Sequence, residues 1–439
     1  MTTDQRPKTL SRYWLLLGVV ALAVAGLYSL TLVIGRAPVL SNNPEIQRIF
    51  KDALVVHVDL SVLVWFLAIA CLFWSMATAH ARSILPLEQG ALTCFALTIL
   101  FMMLSPFDPK AEALMSNYIP VISSPIFLMA LGFLLCGVGF MLVKIFTSSL
   151  AGFDGPVRFG ILSAGWITLI SIACFLWSYR LMPQVFEGVQ YFEMLFWGGG
   201  HVLQLVHVQI VMLCWLLVAQ ALFHIFQIPP RHLYILFAIG LLSACAAPVA
   251  YLLYDLESAP FRQFFTSLMI AANGVAPTVL ALWILPGLLS LRSLRHGDKR
   301  ALWSALLMSI LLFLYGNILG AYIHGQNVLI PAHYHGSIVG ITIGFMAFAY
   351  VMLPRFGYRE VTGWRMAYWQ PILYGAGQVM HVSGLAYSGG YGVLRKTAGG
   401  VDALAPNIKI ALGFMGLGGL LAIIGGLLFV VVVYRSIRR

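Results

Sequence analysis

The chain has 439 residues, of which 61% are hydrophobic and 9% are charged, and its formal net charge is +11. Its mean hydropathy of +0.91 excludes an ordinary soluble domain, in which charged residues make up about 25% of the sequence. The basic excess needs no nucleic acid partner, because loops beside a membrane account for it. We therefore predict an all-α integral membrane protein that lies in a lipid bilayer.

Apolar runs of about 20 residues, long enough to cross the hydrocarbon core of a bilayer, recur along the whole chain. They predict twelve transmembrane helices, numbered here as spans 1 to 12. Their ranges are 13–35, 53–79, 88–106, 118–146, 157–180, 192–224, 232–254, 264–290, 301–323, 330–353, 367–388 and 408–434. The connections are short, so we expect a single polytopic membrane domain over residues 1–439.

The basic residues predict the orientation. With the N-terminus inside, the inner segments carry 17 of the 26 Lys and Arg residues. The positive-inside rule then places both termini in the cytoplasm. The polar residues 2–12 lead straight into span 1, which is not the pattern of a cleavable signal. We expect a multi-pass protein of the inner (plasma) membrane.

The cysteines exclude two kinds of site. All six lie inside predicted spans, and none forms a Cys-x-x-Cys pattern. Covalent haem attachment and zinc knuckles both require such spacing, so neither is expected.

Five histidines from four spans are predicted at one depth in the outer half of the membrane. His57 lies about one turn into span 2, and His333 and His335 begin span 10. Span 6 brings His201 about 15 Å deep at 1.5 Å per residue, and span 11 returns His381 to the same half. A lone intramembrane histidine more often hydrogen-bonds a neighbouring helix than binds a metal. Five in one layer favour a functional interior.

The spacing of His333 and His335 is the most informative pattern. Two residues apart on a helix, their side chains project about 200° apart, so each can face a different cofactor. A haem with two axial histidines needs both at one height on facing helices. His57 and His335 are predicted to be such a pair, with His333 left to hold a second haem.

These segments resemble the catalytic subunit I of the haem-copper oxidase superfamily, which includes cytochrome oxidases and nitric oxide reductases. Residues 330–335 read IPAHYH and residues 349–354 read AYVMLP, similar to the His-aromatic-His helix of that family and its Leu-Pro exit. Residues 195–201, LFWGGGH, are similar to its Phe-Trp-x-x-Gly-His segment. The resemblance covers essentially the whole chain.

The resemblance implies two haems and a twelve-helix fold. His57 and His335 would be the axial ligands of a low-spin haem, and His333 would hold a high-spin haem that binds or reduces O2 or NO. His201 would be a ligand of a distal copper or non-haem iron. An outer-side cytochrome or cupredoxin donor and additional membrane subunits are the implied partners.

The resemblance also implies residues beside the haem propionates. Residues 380–386 lead to Arg395 and Lys396, similar to the segment before the propionate-binding arginines of the family. His381 is then expected on the propionate side or in packing. His324, nine residues before His333, is similar in position to a histidine near the propionates of some members.

One departure concerns the distal metal. The family has an adjacent histidine pair on span 7, expected here near 250–253, but residues 250–254 read AYLLY. Stable sites for such metals need about three protein ligands, so a metal on His201 alone is doubtful. The redox-active tyrosine expected on span 6 is replaced by Leu205, and the nearest polar group is Gln204.

A second departure concerns protons. Asp59 is the carboxylate expected within a span, in the outer half, and the inner half is expected to hold none. Carboxylate relays are the usual signature of proton pumps, so pumping is disfavoured.

Two alternatives stay open. The chain could be a homologue without distal copper, acting in electron transfer, gas sensing or assembly. It could also be a membrane transporter with a histidine-lined site. A reduced-minus-oxidised spectrum distinguishes the transporter, which has no haem bands.

Overall fold

The computed structural model describes residues 10–35, 44–81, 85–223, 228–290, 297–324, 327–390 and 405–438. Nearly all of these residues are helical. Within them, eleven helical segments are long and apolar enough to cross a membrane. The chain is therefore an integral multi-pass membrane protein, and the predicted all-α class is confirmed.

The helices follow the predicted spans closely. In chain order they are α1 (Ser11–Gly35), α2 (Pro44–Val58), α3 (Trp65–Ala77), α4 (Leu85–Leu104), α5 (Pro125–Thr147), α6 (Gly155–Leu181), α7 (Gly188–Leu222), α8 (Pro230–Leu253), α9 (Ala259–Asn273), α10 (Val275–Ser290), α11 (Arg300–Gly320), α12 (Leu329–Arg355), α13 (Arg365–Gly390) and α14 (Pro406–Ile437). Spans 2 and 8 each correspond to two consecutive helices. Helix α13, at span 11, is 26 residues long but more polar than the other eleven segments.

The start of predicted span 4 was wrong. Helix α5 begins at Pro125, where the Ser124 hydroxyl accepts a hydrogen bond from the Ile126 N–H, rather than at residue 118. A proline in the first helical turn and a serine cap are ordinary helix starts. The preceding residues form a short hairpin instead, in which β1 (Ala113–Leu114) pairs antiparallel with β2 (Val121–Ile122).

A π-helical turn interrupts span 2. Helix α2 ends at Val58 and α3 begins at Trp65, and the residues between them, Asp59–Val64, are π-helical. Such turns place extra residues in one helical turn and often occur at functional sites. This one begins two residues after His57.

The chain forms two compact units. The first contains Met1–Ala25, Lys51–Leu213 and Gln227–Leu280, and the second contains Gly26–Phe50, Cys214–Phe226 and Ala281–Arg439. In the first unit α4 packs on α5, and α6 packs on α8. In the second, α11 packs on α12 and α13 packs on α14. The expected single domain over residues 1–439 stays a prediction.

Two glycines set the close approach of α11 and α12. A Cβ atom added at Gly336 would lie 2.6 Å from the Gly316 Cα atom. Small residues let transmembrane helices approach until their backbones touch. Any larger side chain here would therefore separate the two helices.

The expectation that Asp59 is the carboxylate within a span was wrong, because a second one is buried at a helix end that the predicted topology places inside. Glu88 is 2% exposed and forms an ion pair with Lys144, which is also 2% exposed. Helix α4 begins at Leu85, three residues before the predicted span, so Glu88 lies inside the helix rather than at its solvated end. The apolar pattern alone did not reveal its basic partner on α5.

Candidate functional site

His57 is held by a main-chain carbonyl of α1. The His57 ring is half-buried, and its Nδ1 lies 2.9 Å from the Ala25 carbonyl oxygen. A carbonyl oxygen only accepts hydrogen bonds, so Nδ1 carries the hydrogen and donates it. Nε2 is then the nitrogen with the lone pair. Metal-binding histidines are oriented in this way.

His333 has the same arrangement within the second unit. Its Nδ1 donates to the Gly316 carbonyl oxygen of α11 at 2.8 Å. The ring lies over Gly320, where an added Cβ atom would be 2.6 Å from Nδ1. Gly316 therefore supplies the acceptor carbonyl, and Gly320 leaves the space for the ring. Nε2 again holds the lone pair.

His335 lies against His381. Their ring centroids are 5.0 Å apart, and the rings are nearly perpendicular at 70°. His381 Nδ1 donates to the Met415 carbonyl oxygen of α14 at 3.1 Å. The structure thus brings together two histidines that the sequence assigned to different roles. The pairing of His335 with His57 joins residues of different units and stays a prediction.

Both ring nitrogens of His201 are engaged. Nδ1 donates to the Trp197 carbonyl oxygen at 2.7 Å. Nε2 is therefore the acceptor for the Tyr118 hydroxyl, which lies 2.6 Å away. The imidazole is 2% exposed, and its ring neighbours are Tyr118, Trp197 and Phe265.

Tyr118 was not predicted as a site residue. It lies in the hairpin before α5, and its ring fits on α7 because residue 200 is glycine, where a Cβ atom would be 2.6 Å from the Tyr118 Cβ atom. The neighbouring Asn117 N–H donates to Glu193 of α7 at 2.9 Å. The triple glycine 198–200 was the available signal, since it marks close approach of other side chains to α7.

The span 7 position expected to hold two histidines is packed with other contacts. The Tyr251 hydroxyl donates to the Cys174 carbonyl oxygen at 3.0 Å and lies 2.9 Å from the Ser178 hydroxyl. Leu252 and Leu253 point outward, at 72% and 63% exposed. Tyr251 is therefore directed to α6 and not to His201.

The donor set does not fit a distal metal. Among the described residues no group of three or more His, Cys, Asp or Glu side chains is placed to hold a metal ion. His201 has already used its lone pair on Tyr118. By contrast, the neutral imidazoles of His57 and His333 would each have an Nε2 lone pair that suits an axial haem ligand.

The remaining predicted residues carry less information. His324 is exposed in the loop before α12. Arg395 and Lys396 lie outside the described residues. Gln204 accepts a hydrogen bond from the Asn273 side chain at 3.3 Å, which links α7 to the end of α9.

Hydrogen bonds from Ser124 and from the Lys110 N–H hold the pKa of Asp108, before the hairpin, below its usual value.

A solved structure shares this architecture. The chain matches a haem-copper terminal oxidase, solved as a dimer, with a TM-score of 0.74 and 15% sequence identity. The match covers 99% of this chain and 85% of that one. The class defined by the fold is therefore that of membrane proteins with the haem-copper oxidase fold.

Two curated proteins are similar in sequence. The uncharacterized protein RP382 of Rickettsia prowazekii (strain Madrid E) is 30% identical over 98% of this chain and 96% of that protein. An uncharacterized protein of Aquifex aeolicus (strain VF5) is 28% identical over 80% of this chain and 86% of that protein. The chain belongs to the family of the Rickettsia protein. No established family profile matches it.

Proposed function

We propose that this chain is a membrane haem protein that passes electrons from an outer-side donor through a low-spin haem to a high-spin haem, where O2 or NO binds or is reduced. The observation that carries the proposal is the shared tautomer of His57 and His333. Each donates Nδ1–H to a main-chain carbonyl oxygen, which leaves Nε2 as the ligand atom.

The proposed ligands follow from this tautomer and from the resemblance in sequence. His57 and His335 are the axial pair of the low-spin haem, and His333 is the single protein ligand of the other. Arg395 and Lys396 neutralise haem propionates, because an arginine binds a carboxylate through two charge-assisted hydrogen bonds. His381 orients His335 through their ring contact.

A second candidate function is favoured by His201. Its engagement by Tyr118 supports a homologue without a distal metal, which acts in electron transfer, gas sensing or assembly rather than in complete oxygen reduction. The first proposal also includes cytoplasmic termini and a location in the inner membrane. Its partners are a cytochrome or cupredoxin donor and additional membrane subunits.

A reduced-minus-oxidised spectrum of the purified protein tests the proposal. The wild type should show a low-spin haem signal, which His57→Ala and His335→Ala each remove, because a six-coordinate haem needs both axial ligands. His80→Ala is the matched control, since His80 is exposed and bonds Ser149.

The outcomes separate the alternatives. Absence of haem bands in the wild type would contradict the proposal and favour the transporter with a histidine-lined site. A low-spin signal that persists in His57→Ala would keep a haem protein but reject the assigned axial pair.

A further inference from the structure

A buried acid–base cluster joins four helices of the first unit. Glu88 of α4 pairs with Lys144 of α5, and both are 2% exposed. The same carboxylate accepts hydrogen bonds from the Trp14 indole N–H at 3.0 Å and from the Ser75 hydroxyl at 2.5 Å. Ser75 in turn lies 2.7 Å from the Ser11 hydroxyl.

The hydrogen bonds between Ser11, Ser75 and Glu88 have a defined direction from donor to acceptor. A carboxylate paired with an ammonium only accepts, so Ser75 must donate its hydrogen to Glu88. The Ser75 oxygen is then the acceptor for Ser11. Two successive hydroxyls therefore donate toward Glu88, starting from the first residue of α1.

The cluster lies near one end of all four helices. Ser11 begins α1, and Glu88 is in the first turn of α4. Ser75 is in the last turn of α3, and Lys144 is in the last turn of α5. The predicted topology places this end on the cytoplasmic side. The two hydroxyls thus lead from the end of α1 to the buried Glu88 carboxylate.

Stability is a poor explanation for such a pair. Desolvation of two charges is unfavourable, and well-packed apolar residues often stabilise a protein as well as a buried ion pair does. Ionisable groups inside a membrane usually mark a path for protons or ions. The Lys144 ammonium has three hydrogens to donate, and within the described residues Glu88 is the acceptor placed against it.

We propose that Glu88 and Lys144 form a proton-exchange site, which Ser11 and Ser75 connect to the end of the helices where α1 begins. Ser75 gives its hydroxyl hydrogen to Glu88 Oε1 and takes the hydrogen of Ser11. Ser11 is itself 3% exposed, so the water that gives it a proton must reach it at the end of α1. Each oxygen breaks one O–H bond and forms another, no electron moves, and the cluster gains one positive charge.

The groups that face Glu88 determine which interaction changes when its carboxylate is protonated. Lys144 on α5 faces the carboxylate directly. The Cys71 thiol on α3 is a further titratable group near Glu88, and α1 contributes the neutral Trp14 and Ser11. Protonation of Glu88 therefore releases Lys144 from its partner, and this step is independent of any haem.

Time-resolved infrared spectroscopy of the full-length protein in lipid nanodiscs tests the proposal. After a jump to acidic buffer, the wild type should develop a protonated-carboxyl band, and Glu88→Gln should lack it. Ser75→Ala should keep the amplitude of the band but slow its appearance several-fold, because the hydroxyl chain is cut. Ser105→Ala is the matched control, a buried serine whose hydroxyl donates to the Met102 carbonyl oxygen.

The results that overturn the proposal are equally specific. A carboxyl band that survives Glu88→Gln belongs to another group, such as Asp59. A band that appears in Ser75→Ala at the wild-type rate means that protons reach Glu88 without Ser75, which overturns the proposed path, and a wild type without any band means that Glu88 and Lys144 are a structural pair only. If Glu88→Gln fails to fold, the rate in Ser75→Ala decides, since that variant keeps the ion pair.

Discussion

Individual histidines in this protein differ in what accepts their Nδ1 hydrogen and in what faces Nε2. His57, His333 and His381 each donate to a carbonyl of another helix. His201 donates to a carbonyl of its own helix and accepts from a phenol. The residue type is the same in all four cases, so the surroundings of each ring decide whether it suits a metal.

His333 should hold a haem with one face open to a small gas. Carbon monoxide should then perturb the spectrum of the reduced protein, and His333→Ala should abolish that change because the iron loses its protein ligand. Tyr334→Phe keeps the ring and serves as the control. If carbon monoxide leaves the wild-type spectrum unchanged, the assignment of His333 is wrong.

The purified protein should contain little or no copper. His201 Nε2 is engaged by Tyr118, and stable sites need about three ligands, so even Tyr118→Phe should not create one. Elemental analysis of the wild type and this variant checks the expectation, with His207→Ala as a control for general loss of structure. Stoichiometric copper that disappears in His201→Ala would contradict it.

Helices are the elements that the sequence predicts best. Because a bilayer forces the backbone to satisfy its own hydrogen bonds, each long apolar run had to be a helix, and the helix boundaries follow the runs within several residues. The hairpin at 113–122 was missed because residues 118–122 are mostly apolar and were assigned to the start of span 4. The pairs Glu88–Lys144 and Tyr118–His201 were missed because their partners are 56 and 83 residues apart, and one sequence gives no distance between helices.

The contact between α11 and α12 should be intolerant of any side chain at Gly336. In Gly336→Ala the new Cβ atom meets Gly316, and overpacking of this kind costs about 1–3 kcal/mol. The displaced helix should also weaken the bond from His333 to the Gly316 carbonyl. Thermal unfolding and the carbon monoxide spectrum should both change.

The control for this substitution is Gly416→Ala on α14. A Cβ atom added at Gly416 has no neighbour within 4 Å, so the helix-propensity gain of alanine should be the main effect. Equal unfolding temperatures for wild type and Gly336→Ala would show that the two helices separate without cost.

At the scale of the whole molecule, membership of a family and the shared fold are distinct results. Identity of 30% over nearly the full length places the chain with the Rickettsia protein, whereas 15% identity to the terminal oxidase reflects the fold alone. Sequence motifs predicted that fold correctly. The chemistry at its centre depends on individual side chains and stays a proposal.

Both termini should face the cytoplasm. In a background without native cysteines, Glu187→Cys in the exposed loop before α7 should react with a membrane-impermeant thiol reagent in intact cells, because that loop is predicted outside. Ala151→Cys, exposed in the loop before α6, should react only after the cells are opened. The reverse pattern would invert the topology and place the Glu88 cluster on the outer side.

The carbonyl acceptors of His57, His333 and His381 have a consequence for how such a protein evolves. The acceptor belongs to the peptide backbone, so replacing the side chain at Ala25 or Met415 does not delete it, whereas a side chain added at Gly316 would separate two helices and weaken the bond to His333. The hydrogen bond that orients each imidazole therefore depends on the relative register of two helices rather than on a particular side chain. Lineages can exchange most of their side chains and still preserve the same proton position, provided that no helix slides by one residue.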